Sequence, residues 1–447
     1  MLRWKRFDVP RVGTSVAVAG GTAISLSPGL LPRTPSAQAI LTAVVVSIGL
    51  AVAALIRMVL RWTRFGVIRL PYTRESAVVV AILTVGAAMA GAQHWQNTLR
   101  TAMGVSGVEP WYWMQWVAWT VSLVAVAVAC ARGIRWAVRR LGRVRTVAAA
   151  VVSTVAAQLV IAPAVVHWRQ AAYATADSYV DPVLVQPDSP TRSGSPVSMA
   201  SWPSLGAHGR RFVAGTPASS VRVYVGLESA PDPNSRVALA IRELERTGGL
   251  ARHNLVVTIP TGSGWIDGDA AAGIDDRFGG DVALVGVQYS DAPSWVTFLF
   301  GRGAAEEAAR ALFRAVEQRI STLPDPPKLY VYGQSLGALG GSAIFAGDSD
   351  QDRRVCGALW AGPPAGRVRH GRAAVLANVS DPVVWWSPSL LWHAPNLAGT
   401  RPDAPAPHWL PVLSFLQTTT DLLGALNAPP GHGHRYGTDQ GSALPGC

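Results

Sequence analysis

A serine between two glycines, in Gly333-Gln334-Ser335-Leu336-Gly337, carries the strongest chemical signal in the sequence. The apolar run Leu329–Tyr332 precedes it, and a stretch of small residues from about 336 to 345 follows it. A G-x-S-x-G pattern between a strand and a helix is typical of a sharp turn that presents the serine as a nucleophile, with Gly333 and Gly337 leaving room for the turn. The alternative is a tight strand–helix turn in which Ser335 only caps the helix.

A serine nucleophile requires a base that a carboxylate orients. Asp381 follows a predicted strand at Ala373–Leu376 and is the candidate acid; the alternative is a turn aspartate before Pro382. The base is expected in Gly431-His432-Gly433-His434. We favour His434 over His432 because an aromatic residue follows it two positions later, which suits a loop that folds back onto the site.

Two further predictions concern the surroundings of this serine. An oxyanion hole needs two backbone N–H donors, and we expect one from Leu336 and the other from Thr261 or Gly262, in the glycine-rich segment after an early strand. Gly226-Leu227, after the preceding strand, is the competing choice. Metal binding by the histidine pair is the rival to its role as base, but two histidines without a nearby carboxylate or cysteine make a poor zinc site. We therefore predict neither metal nor cofactor.

Short apolar runs that alternate with helical patterns must position these residues. Such alternation from residue 216 onward predicts a mostly parallel sheet covered by helices on both faces. The segment 168–215, rich in Pro, Ser and Gly, is predicted to be an extended linker. The predicted strands are Val221–Val225, Leu255–Ile259, Val282–Val287, Leu329–Tyr332, Val355–Trp360 and Ala373–Leu376.

Cys356 and Cys447 lie in this C-terminal half. A disulfide between them would hold the C-terminus beside the strand at 355–360. The alternative is one buried cysteine and one thiol at a frayed terminus.

The N-terminal part of the chain has the composition of a membrane domain. Of all 447 residues, 49% are hydrophobic and only 15% are charged, against about 25% charged in typical soluble domains. Residues 1–167 contain five apolar stretches that approach the ~20 residues needed to cross a bilayer. We predict a transmembrane helical domain over 1–167, with the lipid bilayer as its partner. The predicted spans are 12–32, 38–60, 76–94, 112–131 and 146–166.

The excess of basic over acidic residues lies in this apolar half, where the net charge is +14, whereas residues 168–447 carry a net charge of −2. This distribution argues against nucleic-acid binding. Fourteen cations fall in loops on one side of the predicted spans and three on the other. The positive-inside rule then places the N-terminus in the cytoplasm and the C-terminal half, after five crossings, outside.

Two other interpretations of the apolar half fit the sequence less well. A cleaved signal peptide would end near Ala37-Gln38-Ala39, but the run is long and another span follows at once. A transporter is disfavoured because ionisable residues within the predicted spans are nearly absent.

The motifs together resemble those of the actinobacterial membrane-anchored α/β-hydrolase family. The resemblance covers nearly the whole chain, and it implies an N-terminal helical membrane domain followed by an α/β-hydrolase domain over 216–447. It also implies Ser335 as nucleophile, with Asp381 and the glycine-flanked histidines as its partners. The segments that carry it are 25–33, 260–265, 288–295, 333–337, 381–386 and 431–434.

The leading functional hypothesis is a serine hydrolase that acts on lipid or cell-envelope esters at the outer membrane face through an acyl-enzyme. An acyltransferase would share that intermediate, and a non-catalytic membrane scaffold with a hydrolase fold is the third possibility. Residues 383–428 are unusually apolar and are expected either to roof the site or touch the bilayer, or to pack on the domain as a helix.

Overall fold

The computed structural model describes residues 10–63 and 73–447. By its internal contacts the chain divides into a helical unit and an α/β unit. Five cations used in the orientation argument, namely Arg3, Lys5, Arg6, Arg64 and Arg69, lie outside the described residues. The helical unit comprises Met1–Ala156, Pro388–Ala394 and Asp403–Pro429, and the α/β unit comprises Ala157–Ser387, Pro395–Pro402 and Pro430–Cys447.

Four helical runs in the described residues are long and apolar enough to cross a membrane, judged by length and composition. Mean hydropathy is 2.7 in the most apolar of them, Pro35–Trp62. Thr34 and Pro35 begin that helix, since the Thr34 hydroxyl accepts the Ala37 N–H and proline tolerates the first helical position. The N-terminal helices are α1 (Val12–Ser25), α2 (Pro35–Trp62), α3 (Thr73–Ala102), α4 (Pro110–Leu141), α5 (Arg143–Ala156) and α6 (Ala162–Ser178).

The first predicted span differs from the structure. Helix α1 ends at Ser25 rather than near residue 32, so it has 14 residues and a length of about 21 Å. That length is short of the ~30 Å hydrocarbon core of a bilayer. Pro28 and Pro32 explain the early end, because proline has no N–H to continue a helix and disfavours helical backbone in the residue before it.

Helices α5 and α6 form one continuous run through a five-residue π-helical turn, Ala157–Ile161. Pro163 follows this turn directly. Because Pro163 cannot donate to the carbonyl four residues earlier, the wider turn accommodates the missing bond without ending the helix.

A buried ion pair holds a late segment of the chain inside the helical unit. Arg33 Nε lies 2.7 Å from Asp421 Oδ1, and the two side chains are 4% and 0% exposed. Asp421 Oδ2 also accepts the Leu30 N–H at 2.7 Å. Arg33 Nη1 donates to Gln417 Oε1, and Gln417 Nε2 donates to the Ile24 carbonyl. Helix α15 (Leu413–Asp421) is thereby fixed to the loop that follows α1.

The α/β unit is built on a six-stranded parallel sheet of order β1-β3-β2-β4-β5-β6. Most of its strands are apolar runs buried on both faces, as a parallel sheet between helices requires, and the strand at the end of the order, 373–376, is half-buried. The six strands are β1 (Val221–Val225), β2 (Asn254–Ile259), β3 (Val282–Val287), β4 (Lys328–Gln334), β5 (Gly357–Ala361) and β6 (Ala373–Leu376).

Helices cover both faces of this sheet. Amphipathic α8 and α11 are the longest of them, with 14 and 19 residues. The helices of this unit that follow α6 are α7 (Gly206–Ala214), α8 (Pro233–Arg246), α9 (Gly268–Arg277), α10 (Ser294–Phe300), α11 (Arg302–Ile320), α12 (Leu336–Ser342), α13 (Asp348–Arg354), α14 (Pro382–Trp385) and α16 (Asp439–Ala443).

The segment 168–215, predicted to be an extended linker, is instead part of the folded α/β unit. It contains the end of α6 and all of α7. Arg192 is buried and donates to the Val213 and Pro217 carbonyls, while buried Glu243 accepts the hydroxyls of Ser193 and Ser198. Hydrogen bonds from buried side chains to backbone carbonyls hold this segment in place. Because these bonds leave no apolar periodicity in the sequence, the composition resembles that of a linker.

The C-terminus is packed against the sheet. Helix α16 crosses α9 where Gly441 meets Gly273, and a Cβ on either glycine would overlap the backbone of the other segment. Cys447, the last residue, is joined to Cys356 by a disulfide.

We expect Asp421→Ala to destabilise the helical unit by about 3–5 kcal/mol, because it leaves the buried Arg33 guanidinium unpaired. The measurement is the thermal unfolding midpoint of the purified protein in detergent. Arg319→Ala, which breaks the exposed pair of Arg319 with Glu245, is the matched control and should cost at most about 1 kcal/mol.

A double variant, Arg33→Met with Asp421→Leu, should recover part of the loss because no buried charge then remains unpaired. Equal midpoints for Asp421→Ala and the wild type would show that the ion pair does not stabilise this unit.

Candidate active site

Ser335 occupies a sharp turn between β4 and α12 with φ 56° and ψ −123°. Few non-glycine residues adopt this backbone conformation, and it is typical of strained functional sites. The Ser335 N–H donates to the Ala361 carbonyl at 2.8 Å, which ties the turn to the end of β5. A Cβ at Gly333 would meet the backbone of Gly337, and one at Gly337 would meet the Ile259 carbonyl. The two glycines of the motif are therefore required by close backbone approach.

The Asp381 carboxylate lies after β6 and is fully buried. Asp381 caps α14, and its Oδ1 accepts the Val383 N–H at 2.8 Å. Its Oδ2 accepts two more hydrogen bonds, from His434 Nδ1 and from the Tyr436 hydroxyl, each at 2.7 Å. The carboxylate thus has three donors, which offset the cost of removing it from water.

Tyr436 is a member of this cluster that the sequence did not suggest. Burial and the adjacent Asp381 carboxylate raise the pKa of Tyr436 well above its ordinary value. The hydroxyl therefore stays protonated and donates to Asp381 throughout the neutral range. The aromatic ring of Tyr436 is the feature that favoured His434 in the sequence. The hydrogen bond from its hydroxyl to Asp381 has no signature in the sequence.

His434 lies in a turn that two glycines with positive φ, Gly431 and Gly433, allow. The Gly433 N–H donates to Ser380 Oγ at 2.8 Å, and Asn378 Nδ2 donates to the Gly433 carbonyl at 2.9 Å. Ser380 and Asn378, which immediately precede the acid, thus hold the turn that carries the imidazole.

The imidazole partner of Asp381 is His434 rather than His432. Because the carboxylate accepts at Nδ1, that nitrogen carries the proton and Nε2 is left as the basic atom. In the part of the chain that the structure describes, Nε2 is buried and has no hydrogen-bond partner. It is thus free to accept a proton from a nucleophile.

The ends of β4 and β5 bring Ser335 and His434 into the same neighbourhood. Gln334 Nε2, next to the serine, donates to the His434 carbonyl at 3.3 Å. Gly362 follows Ala361, the acceptor of the Ser335 N–H, and a Cβ there would lie 2.6 Å from His434 Cε1. The structure therefore gathers the three predicted residues at the carboxyl edge of the sheet, where open parallel sheets bind ligands.

The predicted oxyanion donors also lie at this edge. Leu336 is the first residue of α12, so its N–H has no acceptor within the helix. The loop after β2 lies beside the serine because β2 is paired with β4. There, the Thr261 N–H donates to the Trp265 carbonyl, whereas the Gly262 N–H donates to the Ser294 hydroxyl at 3.2 Å.

The competing pair Gly226-Leu227 follows β1, which β3 and β2 separate from β4. Its N–H groups donate to Ser229 Oγ and Gln288 Oε1. The strand order therefore favours the Thr261-Gly262 loop. Among residues 10–63 and 73–447, no three His, Cys, Asp or Glu side chains form a group that could hold a metal ion.

Family comparisons agree with this architecture. The sequence model described as the alpha/beta-hydrolase family matches residues 221–371 and 365–444, and the model described as the N-terminus of that family matches residues 26–217. The chain belongs to the alpha/beta-hydrolase family. The match to the first model includes Ser335, Asp381 and His434, and the match to the second covers apolar helices of the N-terminal part. No curated protein matches the chain.

The strain at Ser335 leads to a stability prediction. Ser335→Gly should be more stable than Ser335→Ala by about 1 kcal/mol or more, because glycine adopts positive φ without a steric penalty. The measurement is the unfolding midpoint of both variants in the same detergent.

Ser321, an exposed residue with φ −65° after α11, is the matched control. There Ser321→Gly should be less stable than Ser321→Ala by about 0.5–1 kcal/mol. If the alanine variant were the more stable of the two at position 335, as it is expected to be at position 321, the result would contradict strain at Ser335.

Proposed function

We propose that this α/β-hydrolase is a membrane-anchored serine hydrolase that cleaves esters through an acyl-enzyme. The observation that carries the proposal is the buried hydrogen bond between Asp381 and His434 Nδ1, beside a serine with positive φ. Such a pair orients the imidazole so that its second nitrogen faces the reacting groups.

In the proposed reaction, Ser335 Oγ attacks the ester carbonyl carbon and His434 Nε2 takes the hydroxyl proton. Asp381 remains ionised and stabilises the imidazolium that forms. When the tetrahedral intermediate collapses, the alcohol leaves with the proton from Nε2, and Ser335 carries the acyl group. Water, deprotonated by the same nitrogen, then releases the acid.

The developing oxyanion would be stabilised by the Leu336 N–H and by the Gly262 N–H. Because a serine hydroxyl rather than a backbone carbonyl holds the Gly262 N–H, rotation of one side chain is enough to release it. The Thr261 N–H is engaged in the turn that shapes the loop. We therefore assign the second donor role to Gly262.

Lipid or cell-envelope esters are the proposed substrates. The support for this class is the continuity of the α/β unit with helices long and apolar enough to cross a bilayer. We also propose that the catalytic domain lies on the extracytoplasmic side. Ten cations fall in 61–74 and 132–145, on one side of the four long helical runs, against Arg33, Arg100 and Arg169 on the other. This difference supports the orientation without requiring α1 to cross the bilayer. A Cys356–Cys447 disulfide suits an oxidising compartment.

We expect a fluorophosphonate probe to label the wild-type protein and not Ser335→Ala. His434→Ala and Asp381→Asn should slow labelling and ester turnover by at least about 100-fold, because the serine loses its oriented base. The matched control is His432→Ala, which removes the neighbouring imidazole and should retain most of the rate. The measurement is the rate of probe incorporation by the folded protein in detergent.

Loss of labelling in His432→Ala with a normal rate in His434→Ala would move the base to His432. Absence of labelling in a folded wild-type protein would favour the scaffold hypothesis. Product analysis with an added alcohol separates hydrolysis from transfer: free acid is expected, whereas a new ester would indicate an acyltransferase.

Orientation can be tested with single free cysteines. Cys130, the one cysteine of the three outside the disulfide, is first replaced by serine. Ser321→Cys, in the α/β unit, should react with a membrane-impermeant maleimide in intact cells. Thr63→Cys, at the exposed end of α2, should react only after the membrane is permeabilised. The reverse result would place the catalytic unit in the cytoplasm.

A further inference from the structure

We propose that helix α10 is an interfacial anchor that inserts Trp295, Leu299 and Phe300 into the surface of the bilayer from which α6 emerges. This inference deepens the proposed function, because it identifies membrane lipid as the source of the substrate that reaches Ser335. That part of the inference rests on the proposed function. Three observations within the α/β unit carry it: the exposed apolar face of α10, the position of α10 at the carboxyl edge of the sheet, and the attachment of α6 to that same edge.

One face of helix α10 packs against the protein, and the opposite face is exposed to solvent. Thr297 is buried, whereas Trp295, Leu299 and Phe300 are 62%, 56% and 82% exposed. Three large apolar side chains exposed on one seven-residue helix are unusual for a surface in water and mark a contact site. Arg302 follows directly, and its guanidinium lies 4.3 Å from the Phe298 ring centre.

Helix α10 lies next to the catalytic serine loop. Ser294, its first residue, accepts the Gly262 N–H, and a Cβ on Gly262 would lie 2.7 Å from both Ser294 Cα and Thr297 Oγ1. The backbone of the candidate oxyanion loop is therefore in contact with the buried side of α10. Any group bound by the exposed side of α10 is therefore held close to the loop at Gly262.

The end of α6 shows where the bilayer lies. Asp177, in its last turn, accepts Gln288 Nε2 at 3.0 Å, and Gln288 is the first residue after β3. Arg210 Nη2 donates to the Asp177 and Tyr179 carbonyls at 3.0 and 2.5 Å. The end of α6 is thus fixed to the carboxyl edge of the sheet, the edge that carries Ser335.

The distance from this edge to the membrane surface is limited by the helix itself. Trp168 and Arg169, stacked at 5.4 Å, follow the apolar run of α6 and have the composition of an interfacial belt. The nine residues from Trp168 to Asp177 span about 14 Å at the rise of an α-helix. The carboxyl edge is therefore the edge of this unit that faces the lipid.

The composition of α10 fits lipid as the occupant. Tryptophan is enriched at membrane–water interfaces, and an apolar face flanked by arginine is typical of helices that lie in the headgroup region. Arg302 can reach lipid phosphates while Leu299 and Phe300 enter the acyl region. An acyl chain could then pass from the bilayer to Ser335 without crossing water.

The direct test is the depth of a nitroxide on α10. Leu299→Cys in a Cys130→Ser background is spin-labelled, and the full chain is reconstituted in vesicles of phosphatidylethanolamine and phosphatidylglycerol. We expect the ratio of collisions with oxygen to collisions with a nickel chelate to be several-fold higher than for label at Ser321→Cys. Ser321 is exposed and precedes β4, so it lies at the opposite, amino edge of the sheet.

Equal ratios at the two positions would overturn the anchor. Exclusion of both oxygen and the chelate at Leu299 would also overturn it, because that result indicates contact with protein, including a second copy of this chain. Neither measurement requires activity, so failure here is distinct from failure of the proposed hydrolase reaction.

A second test asks whether turnover of membrane lipid depends on the exposed apolar side chains of α10. The triple variant Trp295→Ser, Leu299→Ser and Phe300→Ser should lose at least about tenfold in turnover of an ester lipid in vesicles, since the apolar area that holds the site at the surface is gone. Fluorophosphonate labelling of the same variant in detergent should be unchanged. Undiminished vesicle turnover would contradict the proposal, whereas absent labelling of the wild type would contradict only the proposed reaction.

Discussion

The need to solvate one buried carboxylate organises the site. Asp381 has no access to water, and an unpaired charge in such a position would cost several kcal/mol. Its three donors come from the backbone of α14, from His434 and from Tyr436. Satisfying Asp381 therefore brings the loop after β6 and the turn at 430–436 together, and the imidazole is oriented as a result. Ser335 has a separate constraint, the close approach of Gly337 to the Ile259 carbonyl.

Local patterns predicted the sheet and the serine turn well, because both depend on neighbouring residues. The alternating apolar runs predicted all six strands to within a few residues, and Gly333 and Gly337 predicted the sharp turn at Ser335. Family membership and the parallel sheet confirm this fold class. Local pattern does not distinguish His432 from His434, because both have glycine neighbours, and it is the hydrogen bond to Asp381 that identifies His434.

Long-range contacts account for what the sequence did not predict. Arg33 and Asp421 are 388 positions apart, and nothing near either residue indicates the other. Residues 383–428 were expected to roof the site, touch the bilayer or pack on the domain as a helix. Residues 388–394 and 403–428 of this segment belong by their contacts to the helical unit, which no local pattern indicated. The segment 168–215 resembled a linker because its order comes from buried arginines bound to carbonyls rather than from apolar periodicity. The first span was predicted too long because it was taken from the length of the apolar run, whereas Pro28 and Pro32 within that run end the helix early.

The path of the chain between Asp381 and His434 has a further consequence. After the acid, the chain enters the helical unit twice, over 388–394 and 403–429, before it returns to supply the base. A cut after residue 156 would leave the α/β fragment with an Asp421 carboxylate stripped of its guanidinium and with an α15 that has lost its packing partners. Such a fragment would contain segments of both units, so a single cut after residue 156 does not separate one unit from the other. Release of the α/β unit as an intact piece by one proteolytic cut is therefore disfavoured by the path of the chain.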